Sequence, residues 1–140
     1  MTEENLKIEH FFTRANANEG VKFFIPSPDG TGDSTAWIVV RGLDSDEYRN
    51  TKDQTYRDQL SVAALEDEEL KEDAFKNNKI KLLSSLVVSW SFDIPCNQDN
   101  IKTLLTEAPY IGDFLDRCAS KRANYFAKPQ PVSSTTQDQS

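Results

Sequence analysis

Between Glu66 and Phe92 the chain passes from an acidic run, Glu66-Asp67-Glu68-Glu69-Leu70-Lys71-Glu72-Asp73, to an apolar close, Leu82-Leu83-Ser84-Ser85-Leu86-Val87-Val88-Ser89-Trp90-Ser91-Phe92. Acids at the start, with Lys76, Lys79 and Lys81 further on, match a helix dipole that favours negative charge at its amino end and positive charge at its carboxyl end, by about 0.3–1 kcal/mol each. Leu70, Ala74, Leu82, Leu86 and Trp90 recur near three- and four-residue spacing, and Phe75, Leu83 and Val87 widen the stripe. The pattern predicts one long helix over residues 66–91 that carries the core.

The elements around it follow from local signals. Val21-Lys22-Phe23-Phe24-Ile25 is β-branched and aromatic and stops at Pro26, so it reads as a strand. A turn-rich connector over 26–34 leads to a second strand, 35–41, and a hairpin joins the two. After Gly42, Asp44 with Glu47 three residues on forms a capping-box signature for a helix over 44–64, with Tyr48, Lys52, Tyr56, Leu60 and Ala63 or Ala64 along one face. Pro95 ends the long central helix. Asn97 caps a helix over 98–108, and Pro109 opens the last one, 109–126, with Ile111, Phe114, Leu115, Cys118 and Tyr125 on one side. Residues 1–19 fit a short helix through Ile8, Phe11 and Phe12 or a strand, with the helix favoured. The fold class expected is α+β, mostly helical with a small amino-terminal antiparallel hairpin or sheet, forming a single domain over 1–126. A flexible polar tail over 127–140 has Val132 as its one large apolar residue.

At 140 residues a chain buries a core without staples. A net charge of −7 argues against a surface built to neutralise phosphates, so nucleic acid is not an expected partner. An acidic protein that mimics DNA stays open. The longest apolar run falls far short of the roughly 20 residues that span a bilayer, so no membrane partner is expected. Cys96 and Cys118 form neither a Cys-x-x-Cys pair nor a disulfide framework, and no signal-like segment opens the chain, which points to a reducing cytoplasm.

Chemistry is hard to find. The sole histidine, His10, has no acid–base constellation near it in sequence, and Cys118 lies on an apolar helix face where free cysteine acts as a small hydrophobe. Cys96, beside Pro95, has no local basic partner to lower its pKa. Asp44-x-Asp46 has the opening spacing of a calcium loop, but Tyr48 and Arg49 stand where an oxygen ligand and the turn glycine belong, so capping explains it better. Gly30-Thr31-Gly32 lacks the Lys-Ser/Thr and following helix of a phosphate loop. The acidic run over 66–73 reads first as a solvated helix start, with a basic partner as the sharper alternative. No catalytic residue, cofactor or metal site is expected, and a binding protein is.

Four stretches give the chain a family likeness: Trp37-Ile38-Val39-Val40-Arg41-Gly42-Leu43-Asp44-Ser45-Asp46-Glu47-Tyr48-Arg49; Leu82 to Phe92, ending Ser-Trp-Ser-Phe; Asn97-Gln98-Asp99-Asn100-Ile101-Lys102-Thr103-Leu104-Leu105-Thr106-Glu107-Ala108-Pro109-Tyr110-Ile111; and Arg122-Ala123-Asn124-Tyr125-Phe126. In these, over about residues 21–126, the chain resembles the tail assembly chaperones of long-tailed bacteriophages. The patterns are of residue type, with no invariant chemical signature. The resemblance implies a non-enzymatic helper in the host cytoplasm that binds the tape-measure protein and tail-tube subunits during virion morphogenesis and leaves before the particle is complete. It also implies a second, longer form made by a translational frameshift. The family supplies no binding motif to carry over. The partner-binding residues expected here come from the amphipathic stripes and aromatics themselves: Trp90, Phe92, Ile101, Leu105, Ile111, Phe114 and Leu115, acting in the core and toward a client or a second copy. Core packing is the first job expected of Trp90. Two other classes stand beside this one: a minor virion or head–tail joining protein, and an acidic DNA-mimic inhibitor.

Overall fold

The computed structural model describes residues 6–127 and has an α+β architecture in which a small antiparallel sheet packs one face against helices. β1 (Val21–Pro26) and β2 (Asp33–Val40) form the expected hairpin, with Val21 opposite Val40 and Phe24 opposite Trp37. Gly20, at φ 86°, turns the chain into β1; a Cβ there would lie 2.8 Å from Val39 Cγ1, so the turn and the close approach both require glycine. Ahead of it, residues 6–19 hold a 3₁₀ turn (Ile8–Phe11) and a short helix, α1 (Arg14–Glu19).

The helix expected over 66–91 is two elements. α3 (Glu68–Ser84) stops at Ser85, and β3 (Val87–Trp90) pairs antiparallel with β2, Ile38 opposite Trp90 and Val39 opposite Ser89, giving the order β1-β2-β3. The physical reason lies in β2, whose second edge needs a partner. Trp37 N–H donates to Ser91 Oγ at 2.9 Å and Ser91 N–H donates back to the Trp37 carbonyl at 3.0 Å. Arg41 N–H donates to the Leu86 carbonyl at 2.6 Å, while its guanidinium takes the Ser85 and Val87 carbonyls at 2.9 and 3.2 Å, satisfying acceptors that a helix end leaves free. β-Branched and aromatic residues suit this pleated edge.

α3 also does not carry the core. Its sole buried residue is Ser84, and Leu70 and Phe75 are exposed. The core lies between the inner sheet face, with Ile25, Ile38, Val40, Val87 and Trp90, and the two last helices, α4 (Gln98–Glu107) and α5 (Pro109–Ser120), with Ile101, Leu105, Ile111, Phe114, Leu115 and Ala119. Each large side chain so buried stabilises by about 1.5–3 kcal/mol before chain entropy is counted.

The caps agree with sequence at Asn97, which accepts from Asn100 N–H at 2.9 Å, and at Pro109 in the first turn of α5. They differ at α2 (Asp46–Val62), where the cap is Ser45, accepting from Tyr48 N–H, because Asp44 is engaged elsewhere. Residues 121–126 leave the helix expected over 109–126. Lys121 is extended, a 3₁₀ turn (Arg122–Asn124) follows, and Tyr125 folds back to donate its hydroxyl to the Val40 carbonyl at 3.0 Å. Its ring, with Ala17, closes over Gly42. Of the tail expected over 127–140, residues 128–140 lie outside the described residues.

Candidate functional site

The seven residues expected to meet a partner come together, but inside the molecule. Ile101, Leu105, Ile111, Phe114, Leu115 and Trp90 are buried in the core, and half-buried Phe92 stacks edge-on against Trp90 with ring centroids 5.3 Å apart. Trp90 Nε1–H donates to the Ile94 carbonyl at 2.9 Å, the partner a buried indole needs. The doubled stripes of α4 and α5 are therefore facing halves of one core.

The polar groups read as structural. His10 Nδ1 accepts from Lys7 N–H within its own turn. Burial pushes the Cys118 thiol up to about 11 and raises Cys96 as well, the opposite of an activated nucleophile. Asp29 in the β1–β2 loop is lowered to about 2 by the Thr31 and Ser27 hydroxyls and the Thr31 N–H, which lock the turn. Among the described residues no group of three His, Cys, Asp or Glu is placed to hold a metal, and no helix is long and apolar enough to cross a membrane.

What stands out is the hairpin of α2 and α3. These 17-residue helices pack along each other. Thr51 and Thr55 are buried, and the Asn78 amide donates to Asp58 Oδ2 and Gln59 Oε1, both at 2.8 Å. Several large apolar side chains of the hairpin are left in solvent. Tyr56 is 65% exposed, Phe75 61% and Leu60 59%, with Leu70 and Leu65 also exposed toward the hairpin tip. Between the helices runs an open groove of about 410 Å³ in which Tyr56, Phe75 and Leu82 form the apolar lining and Lys52, Asp53 and Lys79 the rim. It continues past Gln59 to Lys71, Glu72 and Lys76.

Along α3 the groove is lined by charges of both signs: Glu72 stands three residues before Phe75 and Lys79 four after it, steps that keep side chains on one face, and Lys71 and Lys76 line it as well. Lys71 pairs with Glu68 at 3.5 Å. Sequence reasoning placed Tyr56, Leu60, Leu70 and Phe75 on core-facing stripes and so missed this face. A signal was available: the α2 stripe has two threonines at 51 and 55 and few large apolar residues, too little to build a core seam.

A second apolar surface is the outer sheet face, where Phe24 is 49% exposed and Trp37 lies under the Lys22 ammonium, 4.4 Å from the ring centroid. Comparison with protein-family models, with curated proteins and with solved structures finds no match to this chain.

Proposed function

We propose that this protein is a non-enzymatic phage tail assembly chaperone that holds tape-measure and tail-tube proteins in assembly-competent form in the host cytoplasm. The observation that supports it most is the α2–α3 hairpin, which leaves Tyr56, Leu60 and Phe75 exposed instead of in the core, with Tyr56 and Phe75 lining a groove. An amphipathic client helix lays its apolar face into such a groove, and the mixed charges of the rim keep the hold reversible. The contact set is thus moved from the residues first expected, which are core, to the hairpin.

The test is co-purification of the full chain with a tape-measure fragment, comparing wild type with Tyr56→Glu/Phe75→Glu. Both side chains are mostly exposed, so far-UV circular dichroism and Tm stay near wild type. Loss of two aromatic anchors, about 1.5–3 kcal/mol each, weakens client binding by a hundredfold or more. Undiminished binding by the folded double variant rejects the hairpin as the client surface. Mass spectrometry of purified particles tests the class itself: a chaperone is missing from virions, and its presence there in fixed copy number makes it a structural component.

A further inference from the structure

We propose that the α2–α3 face is self-complementary and that two copies of the chain join through it, antiparallel, as a four-helix bundle. This goes beyond the client reading and does not depend on it. The first support is what the hairpin lacks. Thr51, Thr55 and Ser84 are the buried residues of its two helices, while Tyr56, Leu60 and Phe75 stand in solvent. Two helical hairpins laid face to face bury such side chains between them, which is the arrangement of a four-helix bundle.

The second support is the placing of Glu72 and Lys79 on either side of Phe75, which lets the face pair with itself in a second copy. A two-fold contact requires that what residue i meets on residue j, residue j meets on residue i. With the axis passing beside Phe75, the two Phe75 rings meet at the centre. One turn to either side, Glu72 of one copy reaches Lys79 of the other. Glu68, another turn out, falls level with the second copy's Leu82, beyond that pair. A parallel arrangement would instead set lysine against lysine and glutamate against glutamate, which is unfavourable.

The third is size. Seventeen residues at 1.5 Å rise give helices of about 25 Å, and two helices 8–10 Å apart give a face of about 25 by 20 Å. That footprint is at the small end of specific interfaces. The dimer is therefore reversible and concentration-dependent.

Sedimentation equilibrium of the purified full chain, with no client present, tests this over about two decades of concentration around the micromolar range. The expected mass rises from 15.9 kDa toward twice that value. Phe75→Glu stays monomeric with an unchanged circular dichroism spectrum. Lys79→Glu and Glu72→Lys each weaken self-association about tenfold, because each contact occurs twice and becomes a like-charge contact. An equimolar mixture of those two variants restores association, since every Glu72–Lys79 contact in the mixed pair is again of opposite sign. A chain that stays at monomer mass throughout overturns the proposal. So does a dimer indifferent to Phe75→Glu, which would place the contact on another surface such as the outer sheet face, and so does a mixture that fails to restore association.

Discussion

Asp44 accepts the Thr13 hydroxyl at 2.5 Å and two guanidinium N–H groups of Arg122 at 3.1 Å, joining the segment before α1 to the segment after α5. Two residues on, Asp46 accepts Arg14 at 2.8 and 2.6 Å and the Asn18 amide at 3.3 Å. The Arg122 hydrogen bonds, then that of Thr13, hold the Asp44 carboxyl below its ordinary value, and the Arg14 hydrogen bond does the same to Asp46. A carboxylate depressed in the folded state contributes stability that is fully present above its unfolded value, about 4, and is lost as pH falls through the lower folded value. Asp44→Asn is therefore expected to melt below wild type at pH 7, with the Tm difference shrinking as pH drops from about 4; a difference that holds constant into acid would reject an ionised Asp44 as its source. The sequence showed Asp44 as a helix cap because a capping residue and a long-range carboxylate look alike locally. Its partners are 31 and 78 residues away, and no local pattern names them.

The element scale shows the sharpest departure from sequence, at the passage from α3 to β3. Leu82, Leu86 and Trp90 keep a four-residue step, so helical periodicity runs unbroken through a segment that the sheet claims. Val87-Val88-Ser89-Trp90 had the composition of a strand, but the register shift between Val39 and Val40 removes the strict alternation that would have declared it. Strands β1 and β2, α2, α4 and the start of α5 were legible to within a few residues because each carries its own boundary: Pro26, the Asp44–Glu47 run after Gly42 (one residue off the true cap, Ser45), Asn97 and Pro109. The end of α3 is set from outside by Arg41, which binds three carbonyls across residues 85–87. Arg41→Ala should leave the Ser85 and Val87 carbonyls without their side-chain partner and cost about 1–3 kcal/mol. The loss is expected first as faster amide exchange in β3, with α4 and α5 shifted only through the global stability. Exchange raised equally everywhere would mean that Arg41 does not hold this junction.

At the scale of the whole molecule, the candidate face was hidden from sequence because a stripe of apolar residues states that something will cover it, not whether the cover is the same chain. The stripes of α4 and α5 cover each other and the sheet; those of α2 and α3 reach the core at Tyr48, Ile80 and Leu83 but leave Tyr56, Leu60, Leu70 and Phe75 to solvent. The chain therefore has two parts of unequal stability. The body buries Ile38, Val40, Leu86, Leu115 and Tyr125 almost completely, whereas the hairpin meets it through the half-buried Tyr48, Ile80 and Leu83 and is tied further out by the Asn78 amide on Asp58 and Gln59. Local opening free energies follow such differences in buried apolar contact. Amides within Asp46–Val62 and Glu68–Ser84 are thus expected to exchange by partial opening, at least about tenfold faster than those of β2 and α5, which need global unfolding. That gap should narrow as protein concentration rises or a tape-measure fragment is added, because either cover stabilises only the state that presents an intact hairpin. Deuterium uptake followed by mass spectrometry over a concentration series reads both effects at once. Hairpin amides as slow as those of β2 in dilute solution would show that α2 and α3 belong to the body's cooperative unit and need no cover to persist.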